Sequence, residues 1–235
     1  MALLSSLESK ALRDPLTKLA NRYLFADRLD LAMAESKRSS TCKALLVVDL
    51  NDFKVINDQY GHAAGDQLLR TVATRLKQSL RASDTVARLG GDEFGVLLGG
   101  ATSAEVAVAV ANKLTSNLNE PMTIGDRELM VTASIGVALT PTDGVTSKTL
   151  LSRADGAMYF AKQHGLDVST VEAARSGGLD ADVACPPGTA AERQLQEARS
   201  RGTQRVRPSH PKGRVARRGP VRPAGDAPPV WWCGV

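Results

Sequence analysis

The chain is poor in cysteine, lacks a long apolar run and carries almost no charge imbalance over its first two thirds. Its three cysteines, Cys42, Cys185 and Cys233, are scattered over 235 residues and match neither a disulfide framework nor a zinc-ligand spacing. No apolar run approaches the ~20 residues that span a bilayer. The N-terminus has no signal-peptide pattern. A cytoplasmic chain without a membrane segment is the expectation, and no internal repeat is evident. Residues 1–165 hold 19 Lys/Arg against 18 Asp/Glu, so the formal net charge of +5 arises mostly in residues 166–235, with 11 against 7. That excess lies where no folded basic face is legible, and no nucleic-acid partner is inferred from it.

What is present is a core-forming composition, 43% hydrophobic and 23% charged, in a chain long enough for one ordinary domain and more. Leu3, Leu4 and Leu7 give a weak helical pattern, read as a lead-in over residues 1–12. Asp14-Pro15-Leu16-Thr17 opens a turn-rich connector, and Asn21 or Thr17 can cap a helix running to about Lys37. Ala44-Leu45-Leu46-Val47-Val48 is a continuous apolar run, as expected of a strand buried on both faces. Residues 51–66, dense in Asn, Asp and Gly, read as a binding loop. A helix follows with Leu68, Leu69, Val72, Leu76 and Leu80 on one stripe. Residues 102–119 read as a helix with Val106, Val110 and Leu114 inward. Met122–Ile124 and Glu128–Leu139 read as a strand pair around Gly125-Asp126. Ser147 to about His164 is a last helix. Eight of the eleven prolines and both tryptophans lie beyond Gly165, and residues 166–235 read as a disordered tail.

The chemistry gathers at Arg88-Leu89-Gly90-Gly91-Asp92-Glu93-Phe94. A Gly-Gly between two strand-like runs is a hairpin signal, because tight turns need residues that accept positive φ. Asp92 and Glu93 then stand at a sheet edge, able to bind a metal or accept a proton; alone, they would equally suit a polar hairpin tip. Asp49 ends the buried strand, a position that serves a metal ligand or a helix cap.

Taken together and in register, these strings resemble the GGDEF domain of bacterial diguanylate cyclases. The match covers Asp14-Pro15-Leu16-Thr17, the block Asp49…Phe53-Lys54…Asn57-Asp58, Gly61-His62, Gly65-Asp66 and Gly90 to Phe94, and it runs to about Lys162. The resemblance implies an α/β fold, a central mainly antiparallel sheet wrapped by helices, similar to the polymerase palm and the adenylyl cyclase core. It implies a domain over residues 13–165 that joins two GTP into cyclic di-GMP, with two pyrophosphates released and two subunits meeting face to face as a homodimer. It also implies two Mg²⁺ (or Mn²⁺) per active site, held by Asp49, Asp92, Glu93 and the Leu50 carbonyl, with Asp92 also the general base. Asn57 and Asp66 would read guanine, His62 and Lys54 would lie near the nucleotide, and Lys162 would contact the triphosphate. Arg81-Ala82-Ser83-Asp84 stands at the spacing of the family's inhibitory product site, with Arg88 a second contact; by itself the pattern also suits a helix end followed by a turn. The rival reading is an impaired module that binds cyclic di-GMP or GTP without turnover.

The resemblance breaks after Gly165. Leu166 stands where the family carries a phosphate-contacting arginine, and Val168 and Val171 give no convincing closing strand. The expectation is an out-of-frame or diverged tail and a lost sheet edge.

Overall fold

A computed structural model describes residues 11–100, 103–144 and 146–177. The lead-in over residues 1–10 and the tail beyond 177 lie outside the described residues. In chain order the elements are β1 (Ala20–Asn21), α1 (Arg22–Ser39), β2 (Ala44–Leu50), α2 (Phe53–Tyr60), α3 (His62–Ser79), β3 (Thr85–Gly90), β4 (Glu93–Leu97), α4 (Ala104–Leu118), β5 (Met122–Ile124), β6 (Arg127–Leu129), β7 (Ala133–Leu139), α5 (Ser147–Gln163), β8 (Val168–Thr170) and α6 (Val171–Ser176). Six strands form one sheet in the order β1-β3-β4-β2-β7-β8. Its three inner pairings are antiparallel and its two outer ones, β1 with β3 and β7 with β8, are parallel. This is the expected α/β fold.

Alternation along β2 divides the core. Side chains of successive strand residues point to opposite faces, so Leu46, Val48 and Leu50 pack with Leu68, Leu69 and Val72 of α3 and with Ala111 and Leu114 of α4. Leu45 and Val47 pack on the other side with Phe25 and Leu29 of α1 and with Leu150, Ala154 and Met158 of α5. All seven residues of β2 are buried, which is why it reads as an unbroken apolar run. Asp49 shares the parity of Leu45 and Val47 and so faces α1 and α5. Asn21 caps α1, its side chain accepting from the Tyr23 and Leu24 amides.

Four expectations need correction. The stretch 51–66 is helical: α2 and α3 follow one another with only Gly61 between, because Phe53, Ile56 and Tyr60 anchor α2 against the core. The inward stripe of α4 is Ala107, Ala111, Leu114 and Leu118, while Val106 is 51% exposed; small side chains let the helix approach the sheet, and the bulkier valine is left on the flank. The strand expected over 128–139 is two. β6 pairs with β5 in a separate ribbon, and the chain enters the main sheet only at Ala133.

The fourth correction concerns the segment after Gly165. α5 ends with Gly165 at φ +63, the Gly165 amide donating to the Lys162 carbonyl and the Leu166 amide to the Ala161 carbonyl, a glycine-dependent helix stop. Residues 168–170 then pair with Ile135–Val137 as a parallel edge strand, β8. Val171 and Ala174 of α6 are buried against the α1/α5 side of the core. The closing strand is therefore present despite Leu166, and the folded part extends past the expected boundary at residue 165. The sequence pattern concealed it because three residues are too few for an alternation to register.

Burial of Val171 and Ala174 is worth about 3 kcal/mol. A chain ending at Gly165 should melt about 10 °C below one ending at Gly177; equal melting temperatures in a calorimetric scan would contradict the packing of β8 and α6.

Candidate active site

The sheet register places the carboxylates. Asp49 and Glu93 are directly opposite each other in the antiparallel β2–β4 pair, a geometry that brings Cβ atoms within about 5 Å. Both are 8% exposed. Ser134 faces Asp49 from β7, and the wholly buried Asp155 of α5 acts on Glu93 electrostatically. Burial, then the charges of Asp155, Asp49 and Asp92, push the Glu93 carboxyl up to about 8, against the pull of Lys162. Burial likewise raises Asp49, although the Lys162 ammonium binds its Oδ1 and opposes the shift. Asp92, half-buried, stands one residue earlier in the β3–β4 turn.

That turn is held from behind. The pairing register shifts between Arg88 and Gly90, and Gly91 takes φ +53, which an L side chain would resist. Arg88 donates to the Gly91 carbonyl from Nε at 2.9 Å and Nη2 at 2.7 Å, and its Nη1 pairs with Asp14 at 3.4 Å. Asp14 Oδ1 also accepts from the Thr17 amide and hydroxyl, each at 2.7 Å. Burial alone would raise the Asp14 carboxyl, but the Thr17 hydrogen bonds and Arg88 hold it below its ordinary value. The end of β2 is fixed as firmly: the Asn51 amide donates to the Thr132 carbonyl, its Nδ2 to Thr132 Oγ1, and Ser134 Oγ donates to Asn51 Oδ1. Leu50, whose carbonyl was expected at the metals, is buried at this end.

Four expected nucleotide contacts lie on α2 and α3. Lys54, His62 and Asp66 are exposed and Asn57 is half-buried. Gly65 makes room for Asn57: a Cβ there would lie 2.0 Å from Asn57 Oδ1, so the amide occupies the space that glycine leaves. Asp66 has Arg70 at 4.0 Å, a surface pair of little energetic weight.

Arg81 and Asp84 form a closed turn. Asp84 accepts from the Arg81 amide at Oδ2 and from the Gly99 amide at Oδ1, both at 3.0 Å, while the Arg81 guanidinium has no ion pair among the described residues. Arg88 is engaged with Gly91 and Asp14 instead of standing with these two. The structure thus gathers Asp49, Asp92, Glu93 and Lys162 at one place, sets Asn57 beside Gly65, and keeps Arg81 with Asp84.

Sequence reasoning missed Asp155, Asn51 and the Asp14–Arg88 clamp. Asp155 had a signal: it lies seven residues before Lys162, two turns along the same helix face, between buried Ala154 and Ala157. Asn51 and the clamp act through partners 74 to 83 residues away in sequence, Thr132 and Ser134 for Asn51 and Arg88 for Asp14, which no local spacing reveals.

Among the described residues no group of three or more His, Cys, Asp or Glu side chains is placed to hold a metal ion. The donor set nevertheless suits a hard divalent cation that takes few protein ligands and completes its shell with water and phosphate oxygens. Glu93 Oε2 is buried without a hydrogen-bond partner, a costly state for a carboxylate that a cation would relieve.

The family description "Diguanylate cyclase, GGDEF domain" matches residues 11–167. Over 155 residues the chain is 47% identical to MucR of Pseudomonas aeruginosa, a bifunctional diguanylate cyclase/cyclic di-GMP phosphodiesterase, covering 66% of this chain and 22% of that protein. Over 160 residues it is 42% identical to the diguanylate cyclase TpbB of the same species, covering 68% and 37%. The chain therefore spans between about a fifth and two fifths of these relatives. The crystallised GGDEF domain of TpbB superposes with a TM-score of 0.66 at 39% identity over 68% of this chain and 94% of that one. The coiled coil and GGDEF domain of DgcB from Caulobacter crescentus, in complex with c-di-GMP, gives 0.67 at 30% over 72% and 90%.

Between pH 4.5 and about 8 the folded state keeps a proton on Glu93 that the unfolded chain has lost. Stability from this group is complete below 4.5 and is lost as pH rises through 8. In EDTA, Glu93→Gln should therefore match the wild type at pH 5 and melt roughly 5 °C above it at pH 8.5; a constant difference across that range would contradict the buried, uncompensated carboxyl.

Proposed function

The chain belongs to the GGDEF family of diguanylate cyclase domains, and from that membership we propose that it condenses two GTP into cyclic di-GMP with release of two pyrophosphates. The observation that carries the reading is the Asp49–Glu93 pair, two buried carboxylates opposite each other beside Asp92. Two carboxyls so placed resist both being charged, so Glu93 keeps a proton up to about pH 8, and a divalent cation would take that proton's place.

Asp49, Asp92, Glu93 and the Leu50 carbonyl would hold two Mg²⁺ (or Mn²⁺) ions. Bound there, the ions would neutralise triphosphate charge and make the ribose 3′-hydroxyl more acidic. Asp92, the most accessible of the three acids, takes the proton from that hydroxyl. Lys162, whose ammonium rests on Asp49, turns to the triphosphate when GTP is present. Asn57 and Asp66 read the guanine edge, the carboxylate accepting from the ring N–H and amino group, and Lys54 and His62 flank the nucleotide. Each subunit presents one GTP, so the reaction needs two copies face to face. Cyclic di-GMP returns to the Arg81–Asp84 turn as an inhibitor. Arg88 would join that site only by leaving Gly91 and Asp14. As a consumer of GTP the domain would act in the cytoplasm; no helix among the described residues is long and apolar enough to cross a membrane.

Purified protein incubated with GTP and Mg²⁺ should yield cyclic di-GMP by mass spectrometry, and Asp92→Ala should lower the yield at least about 100-fold. Folded wild-type protein that binds cyclic di-GMP but makes none would replace the cyclase by a receptor. Gly65→Ala, which forces Asn57 aside, should raise the KM for GTP about tenfold with little change in kcat; an unchanged KM would remove Asn57 from guanine recognition.

A further inference from the structure

Asn51 stands one residue past the end of β2, where the chain is about to leave the sheet. The next residue, Asp52, takes φ +55, a left-handed conformation that a residue with a Cβ adopts at a cost. Hydrogen bonds from the main chain of Asn51 and from both ends of its side-chain amide hold it at that point. Its backbone N–H donates to the Thr132 carbonyl at 2.9 Å. Its Nδ2 donates to Thr132 Oγ1 at 3.0 Å, and its Oδ1 accepts from Ser134 Oγ at 3.2 Å.

The main-chain bond aims the Leu50 carbonyl. In a trans peptide the N–H and the C=O point opposite ways. With the Asn51 N–H turned to the β7 side, the Leu50 C=O is turned to the β4 side. There the pairing runs from Leu45 with Leu97 to Asp49 with Glu93. Leu50 lies one residue beyond the last pair, so its carbonyl faces the end of β4 that carries Glu93, next to Asp92.

The side chain has a different effect, on Asp49. Ser134 is directly opposite Asp49 on β7 and is only 1% exposed. A serine hydroxyl has one proton to give, and a charged acceptor makes a stronger hydrogen bond than a neutral one. A serine facing a buried carboxylate would therefore give its proton to the acid. Here the proton goes to Asn51 Oδ1, two residues on from Asp49. The bond from Nδ2 to Thr132 keeps that oxygen turned to Ser134.

We infer that Asn51 is a positioning residue of the cation site: by taking the Ser134 proton it leaves Asp49 to a divalent cation, whose ligands it does not itself join. The inference rests on the proposed reading of Asp49, Asp92 and Glu93 as ligands of such a cation. A hydroxyl donating to Asp49 would occupy a lone pair and draw off charge that the cation needs. Groups that set the hydrogen bonding of a ligand in this way are commonly worth about ten- to a hundredfold in metal affinity.

The test titrates the full chain with Mn²⁺ alone, without nucleotide, and reads the free ion by electron paramagnetic resonance, with melting in EDTA measured beside it. The wild type should bind Mn²⁺ saturably, and Asp49→Asn should abolish that binding. Asn51→Ala, which hands the Ser134 proton to Asp49, should weaken Mn²⁺ at least about tenfold. Asn51→Ala/Ser134→Ala should then bind at least about threefold more tightly than Asn51→Ala while melting no higher in EDTA, because the competing donor is gone. A merely loosened sheet end predicts the reverse, a double variant weaker than the single one. Equal affinity in Asn51→Ala and the wild type would overturn the inference, as would a double variant that binds no more tightly than Asn51→Ala. Mn²⁺ binding that survives Asp49→Asn would overturn it together with the cation reading beneath it. Failure of the Asn51 variants alone leaves that reading and the mass-spectrometric assay for cyclic di-GMP standing.

Discussion

The pairing of Asp49 with Glu93 across β2 and β4 is the constraint on which the rest of the structure turns. An antiparallel register with a side-chain period of two leaves no freedom: if Leu46, Val48 and Phe94 are to enter the α3/α4 core, Asp49 and Glu93 must share the opposite face. A slip of one residue would put the acids among the leucines of the α3/α4 core and exchange the residues that pack on the two faces. Hydrophobic packing, worth far more than any single charge, thus forces two carboxylates together. The chain answers them with one cation, Lys162, and adds a further buried acid, Asp155. The result is a place where the folded protein is locally unfavourable and where ligands of positive charge are favoured, the usual bargain of a functional site.

The turn that follows is fixed by a different device. Glycine at positive φ permits the bend, but permission is not rigidity. Arg88 supplies the rigidity by gripping the Gly91 carbonyl with two donors and Asp14 with the third, and Thr17 orients Asp14 in turn. Segments 74 residues apart in sequence are joined through one guanidinium. The planar fork of arginine suits this task, and lysine, with a single ammonium, could not hold the carbonyl and the carboxylate in fixed directions.

Much of this was legible. The buried strand, the Gly-Gly hairpin, the long α3 stripe and the carboxylates at the strand ends follow from period and residue type alone. What was not legible depended on groups that sequence patterns do not encode. Asp14 and Thr17 read as a connector because their partners are a backbone-held arginine and each other. Asn57 reads as a turn residue until Gly65 is seen to vacate the space beside it. Residues 51–66 read as a loop because polarity was weighed over the three apolar anchors, Phe53, Ile56 and Tyr60, that pin one face of α2. The segment after Gly165 misled for a related reason. Its departure from the family pattern is real at Leu166, but an edge strand draws on backbone hydrogen bonds, which any residue but proline supplies.

The N-terminal turn is tied at once to itself and to the acidic hairpin. Asp14 holds the arginine behind the acidic hairpin, while Arg13 and Lys18 donate to the Lys18 and Pro15 carbonyls of the turn itself. In α1 the cap residue Asn21 fixes where that backbone ends and the helix begins, and it does so by binding the Ala11 carbonyl as well as the helix amides. The turn is stiff for this reason and not because of any single strong bond. Stiffness is what the acidic hairpin needs, because Arg88 can hold the Gly91 carbonyl in place only if Asp14, which holds Arg88, is itself held.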